Sequence, residues 1–244
     1  MGVDVTALAT RGELDAEASI TARRLGSGTV VDVRGDGVLS PRRSLAGVLL
    51  AASTAGPLGG DRHRLSVDVG STASLRVGSV SSPVVLPGTG APATVRTDVV
   101  VGDGAVLRWS PEPTVVSAGA RLLARTELRL GHGSTVVWDE ALVLGRSGEE
   151  AGAAEVRLDV VGPDGALCRH AWRLGPGAPG WDGPAGLGGR RVIVSRLRVD
   201  PALTAAAPRS LEAASTVGGW WSHDGWALAL VAGDRLTDVV AELA

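Results

Sequence analysis

Apolar and polar residues alternate with a period of two through much of the chain. In "EVRLDVV" the apolar Val156, Leu158 and Val160 alternate with Glu155, Arg157 and Asp159. In "RLLARTELRL" Leu122, Ala124, Leu128 and Leu130 share one face, with Arg121, Arg125, Glu127 and Arg129 on the other. Successive side chains of a strand point to opposite faces, so the pattern predicts sheets with one face in a core and one in water, as antiparallel sheets have. Glycine turns separate the runs: "VDVGSTASL" (67–75), "VVVGDGAVL" (99–107), "LRLGHGSTVV" (128–137) and "DVVGPDGAL" (159–167). Each reads as strand, turn, strand and predicts a β-hairpin. Their leading glycines, Gly70, Gly102, Gly131 and Gly162, lie 32, 29 and 31 residues apart. The spacing resembles a solenoid period, but the intervening segments do not match one another. Repeated hairpins in one sheet system are therefore favoured over a repeat array.

Helix signals are few and late. "DPALTAAAPRSLEAAS" (200–215) opens on Asp-Pro, a suitable cap and first helical residue. "DRLTDVVAELA" (234–244) places Leu236, Val239, Val240 and Leu243 on one stripe behind an Asp234 cap. Two Gly/Pro-rich stretches, "SVSSPVVLPGTGAP" (79–92) and "GPGAPGWDGPAGLGGR" (175–190), read as loops, the second a flexible connection to a C-terminal portion. The expectation is an all-β fold, mainly antiparallel, of stacked, sandwich-like, hairpin-rich sheets with a few short helices near the C-terminus. It is read as a single domain over 1–244.

Composition narrows the function. The chain has 244 residues, 44 % of them hydrophobic, and a net charge of −2, which describes a globular protein without an electrostatic case for nucleic acid. It contains Arg but no Lys, and seven Trp but no Phe or Tyr, so Trp is the only bulky aromatic filler. The single Cys168 allows no internal disulfide and suits a reducing, cytoplasmic compartment. The N-terminal stretch carries acids and lacks the apolar core of a signal peptide, and no apolar run approaches the ~20 residues that span a bilayer.

Motifs for common chemistries are missing from the sequence. "GPLGGDRHRL" (56–65) lacks the Gly-Lys-Ser/Thr of a phosphate loop and runs into an alternating strand, which favours a plain turn. Cys168 and His170 share a strand face, but two ligands are too few for a closed zinc site. No G-x-S-x-G elbow is present. The cluster Trp220, Trp221 and Trp226, with Trp181 in a loop, leaves open a carbohydrate-binding β-sandwich that uses exposed Trp.

The order of motifs is more specific. "GPLGGDRHRLSVDVGSTASLRVGS" is followed by "VLRWSPEPTVVSAGARLLARTELRLGHGSTVVWDEALVLGRSGEE" and "DGALCRHAWRL". This succession, over roughly 45–175, resembles the urease accessory protein UreD (UreH) family. The resemblance implies an all-β, non-enzymatic scaffold that binds apo-urease, a UreF-like helical accessory protein and a UreG-like GTPase, with no part for nucleic acid or membrane. It further implies help in delivering nickel to urease, with no tightly bound cofactor. The acids at family-matching positions are Asp61, Glu112, Glu140 and Glu149, candidates to line a transient nickel path. Gly59, Gly60, Arg62, Gly145 and Arg146 are assigned structural or interface roles. Two readings stay open for the acids: Asp61 either faces the ion or caps its own turn, and Arg146 pairs with Glu140 or with Glu149.

Overall fold

The computed structural model describes residues 12–212 and 215–243. It opens with two antiparallel pairs, β1 (Asp15–Leu25) with β2 (Gly28–Gly35) and β3 (Leu39–Ser44) with β4 (Gly47–Ala52). The chain then coils between two sheets through β5 (Arg62–Val69), β6 (Ser74–Ser79), β7 (Val84–Val85), β8 (Ala93–Val101), β9 (Val106–Trp109), β10 (Thr114–Val116), β11 (Arg121–Leu130), β12 (Thr135–Leu144) and β13 (Ala153–Gly162). Strands β1, β5, β8, β11 and β13 lie side by side and parallel in the smaller sheet, whose edges are β2 and β14 (Gly165–Leu174). Strands β4, β6, β9 and β12 run parallel in the larger sheet. That sheet continues antiparallel through β15 (Val192–Val199), β18 (Trp226–Gly233), β17 (Thr216–His223) and β16 (Arg209–Glu212).

The architecture is thus a mixed, largely parallel β-solenoid, which corrects the expected antiparallel sandwich. Alternation reports that one face is buried but not which way the neighbouring strand runs. Here the outer faces are open to water, so a parallel sheet shows the pattern expected of an antiparallel one. Three of the four glycine turns are corners that carry the chain from one sheet to the other. Only Gly162–Gly165 closes a hairpin, between β13 and β14. The glycine spacing is the solenoid period itself: Val67 pairs with Val99, Val99 with Leu128 and Leu128 with Val160.

The corner glycines serve this stacking. Gly70 donates to the carbonyl of Ala22, Gly102 to that of Val69 and Gly131 to that of Val101, each at 2.7–2.8 Å. A Cβ on Gly102 would lie 2.6 Å from the Ser71 nitrogen, and one on Gly131 would lie 2.4 Å from an Asp103 oxygen. Only glycine lets one corner rest on the next at this distance.

Among the described residues the one helix is α1 (Leu236–Glu242). Arg235, not Asp234, occupies its cap position and makes no side-chain capping bond. Val239 and Leu243 are buried, while Val240, one residue and about 100° further round, is 47 % exposed. The other expected helix does not form in the described part of 200–215, which holds a turn and then β16. Pro208 lacks a backbone N–H and pushes Ala207 away from helical angles. Residues 175–190 form a series of turns, as expected. No described helix is long and apolar enough to cross a membrane.

Between the sheets the core is divided. One apolar cluster gathers Ile20, Val67, Val99, Leu128 and Val160 against Leu107, Val136 and the Trp109–Trp138 pair. These two rings stack 4.4 Å apart at 7°. A second cluster packs Leu122, Ala154 and Val156 against Val85, Val116 and Leu144. Buried Thr97 and Thr126 lie in the row of Leu65 and Leu158, and buried His63 in the adjoining row of Val95 and Val156, where the two clusters meet.

Candidate functional site: a window through the larger sheet

The boundary between the clusters coincides with a gap in the larger sheet. Strand β9 pairs with β12 over Thr135–Trp138, and β10 pairs with it over Leu142–Leu144. Between these pairings "SPEP" (110–113) leaves β12, and Asp139, Glu140 and Ala141 have no ladder partner on that side. One coil earlier the chain breaks in the same place, between β6 and β7, at "VSSP" (80–83). Proline supplies no N–H to a ladder, so Pro83, Pro111 and Pro113 end the pairing where they stand.

A cavity of about 230 Å³ lies behind this window. Its outer rim includes Ser79, Ser81 and Glu112, and its inner wall His63, Thr97, Thr126 and Glu140. Because Trp138 points inward, the alternation of β12 turns Asp139 outward and Glu140 inward. Both line the cavity, at the stretch of β12 that lacks a ladder partner on this side.

Glu140 is the unusual group. Its Oε1 accepts a 2.8 Å hydrogen bond from the Thr126 hydroxyl, whereas its Oε2 is buried without a partner. The residue keeps some accessible surface, and it lines the cavity. Burial pushes its carboxyl above the usual carboxylate range, and the Thr126 bond and nearby Trp138 only partly offset that. The Trp138 indole nitrogen is close enough to act on the carboxyl but makes no hydrogen bond of good geometry. Asp139, 8 % exposed, is fully engaged. It takes the Arg196 guanidinium at 2.7 and 3.0 Å and the Ser110 hydroxyl at 3.0 Å. Arg196 also donates to the Leu243 carbonyl at 2.6 Å, which ties the residue after α1 to the window.

The four candidate acids fall into two pairs. Glu112, exposed, and Glu140 line the cavity. Asp61 and Glu149 lie elsewhere and serve the backbone. Asp61, 1 % exposed, accepts from the N–H groups of Leu14 and Leu58, each at 2.9 Å. It closes the turn whose Gly59 crosses Gly88: a Cβ on Gly59 would lie 2.7 Å from the Ala91 carbonyl oxygen. Gly60 has φ +98°, and Arg62 pairs with Asp15 at 2.7 Å. Glu149 pairs with Arg146, not through Glu140, and accepts the Arg146 backbone N–H at 3.2 Å. The Arg146 guanidinium, with the backbone N–H groups of Arg146 and Ala118, holds the Glu149 carboxyl down to about 2. Gly145, at φ +86°, turns the chain into this clamp and donates to the Val116 carbonyl at 2.7 Å.

Among the described residues no group of three or more His, Cys, Asp and Glu could hold a metal ion. Cys168 and His170 do share the inner face of β14, where His170 sits edge-on to Trp172 at 5.0 Å. Six of the Trp are at least half-buried, and Trp221, 44 % exposed, lies over Gly219. Sequence reasoning passed over Thr126, Thr97 and Arg196, and the prolines were the available signal for the window.

What the fold and site define together is a two-sheet solenoid enclosing a cavity behind a gap in one sheet. Residues 18–239 match the family of UreD urease accessory proteins. The chain is 38 % identical over 202 residues to the urease accessory protein UreD of Streptomyces avermitilis, covering 79 % of this chain and 80 % of the relative. It is 38 % identical over 207 residues to that of Streptomyces coelicolor, covering 81 % of each. It is 36 % identical over 248 residues to the urease accessory protein UreD 1 of Saccharopolyspora erythraea, covering 94 % and 89 %. The chain belongs to the UreD family, non-catalytic scaffolds of urease maturation that take part in nickel incorporation.

Proposed function

We propose that nickel passes through the window in the larger sheet and that Glu140 is its inner contact. The observation that carries this reading is a buried carboxylate oxygen, without a hydrogen-bond partner, on the wall of a cavity behind the gap in the sheet. Glu112 at the rim would meet the ion first. Glu140, steadied by Thr126, would supply one hard oxygen inside, with water completing the shell. A lone carboxylate holds a divalent ion far less firmly than a thiolate cage, and so suits cargo that must be released. Asp61 and Glu149, with Gly59, Gly60, Arg62, Gly145 and Arg146, hold the corners on which the passage is built.

In this reading residues 1–244 act as one domain in the cytoplasm. Its partners are apo-urease, a UreF-like helical protein and a UreG-like GTPase, without nucleic acid or membrane. The test is Glu140→Gln, coexpressed with urease and the accessory proteins. Nickel content and activity of the urease should fall while the assembly still copurifies; full nickel loading with the assembly intact would sink the proposal.

A further inference from the structure

The outer faces of the two sheets carry arginines on neighbouring strands but treat them differently. On the smaller sheet Arg64, Arg96, Arg125 and Arg157 stand side by side in register across β5, β8, β11 and β13. The next outward row holds Asp98, Glu127 and Asp159. Arg96 meets Asp98 at 2.8 Å, Arg125 meets Glu127 at 2.7 Å and Arg157 meets Asp159 at 2.7 Å. Arg64 adds its field to Asp98. Carboxylates thus offset the repulsion within the row.

On the larger sheet Arg76 of β6 and Arg108 of β9 are directly opposite each other, both exposed. Arg42 is exposed on the same face, in the row that runs through Leu49 and Gly78 toward the window. Among the described residues none of these three arginines forms an ion pair with a carboxylate. Like charges directly opposite in a sheet are destabilising, so this arrangement has a cost that no carboxylate among the described residues offsets. Two large apolar side chains flank it: Val106, 42 % exposed, and Val80, 59 % exposed at the window rim.

We propose that this face, centred on Arg42, Arg76 and Arg108, docks a protein partner that presents a cluster of carboxylates. The partner's acids would complete the row as Asp98, Glu127 and Asp159 do on the other sheet, and Val80 and Val106 would supply buried apolar area at the edge. A partner seated here lies beside the window. The inference rests on family membership and not on the path of the ion, so it can fail while the Glu140 proposal stands, and the reverse.

The test is the double variant Arg76→Glu/Arg108→Glu of the full chain, titrated against purified apo-urease and separately against the purified helical accessory protein at low and moderate salt. At least a tenfold loss of affinity for one of them is expected, with a shallower salt dependence than wild type. Arg76→Ala/Arg108→Ala should weaken the same interaction less, and neither variant should melt below wild type. Wild-type affinity and salt dependence for both proteins would overturn the proposal, as would an equal loss from Arg64→Glu on the smaller sheet, which would reduce the effect to net charge. If a short RNA or DNA binds through Arg76 and Arg108 while both proteins bind the variant normally, the face belongs to a polyanion and the proposal fails.

Discussion

At the corner that opens β5, Asp61 is buried with each carboxylate oxygen on a backbone N–H. At the window, Glu140 is half-buried, with one oxygen on a hydroxyl and the other buried without a hydrogen-bond partner. The first acid satisfies the chain: Leu14 and Leu58 need an acceptor because no ladder supplies one, and Asp61 supplies both. The second acid is satisfied by the chain only in part, and its burial raises its affinity for a proton. The difference separates an acid that builds the scaffold from one that is left available.

The largest expected effect tests the building role. Asp61→Ala removes two charge-assisted hydrogen bonds and strands the buried N–H of Leu58, which should cost about 3 kcal/mol in a denaturant titration. Asp61→Asn retains one acceptor and should lose roughly half as much. Equal stability of Asp61→Ala and wild type would remove the contrast with Glu140 altogether.

Next in size is the outer side of the window. Arg196→Ala leaves Asp139 with Ser110 alone and frees the carbonyl of Leu243. Breaking this mostly buried pair should cost about 2 kcal/mol, discounted for the partial exposure of Arg196. Hydrogen exchange should then rise in α1, because its end loses its tie to the sheet.

Glu140→Gln should behave in the opposite direction. A carboxyl whose folded value lies above its unfolded one binds its proton more tightly in the native state. Wild-type stability then falls as pH rises from the unfolded value through the raised one. Glutamine keeps an acceptor for Thr126 and carries no charge, so the variant should match wild type in acid and exceed it toward pH 8. Thermal melts across that range decide the point; a variant less stable at every pH would show that Glu140 is a structural acid like Asp61.

How much of this contrast was legible in the sequence depends on what a residue reports. The glycine turns were visible, and so was their spacing of 32, 29 and 31 residues. Strand direction was not, since Leu128 alternates identically whether its neighbour is the parallel Val99 or an antiparallel partner. Dissimilar segments between Gly70, Gly102 and Gly131 hid the repeat, because a two-sheet coil asks only for inward apolar residues and a corner small enough to stack. The turn contacts of Asp61 and the pairing of Arg146 with Glu149 were each one of two readings the sequence allowed, and only the folded chain brings Leu14 to Asp61. The window was readable only through Pro83, Pro111 and Pro113, and the hydrogen bond that Thr126 of the facing sheet gives to Glu140 Oε1 is one that no local pattern reveals.

The smallest effect sharpens the comparison at its exposed end. Glu149 is a clamp like Asp61, but its partner Arg146 is 57 % exposed, so solvent screens the pair. Its carboxyl is held near 2 against an ordinary 4.5, chiefly by Arg146. A group with a depressed folded value stabilises above its unfolded value and loses that contribution as pH falls toward the folded one. Wild type and Glu149→Gln should therefore differ by a constant amount above about pH 5 and converge between about 4.5 and 2. Denaturant titrations at several acidic pH values read the convergence directly. No difference even above pH 5 would mean that the Arg191 contact to the Glu149 carbonyl, which the variant keeps, holds this corner rather than the carboxylate.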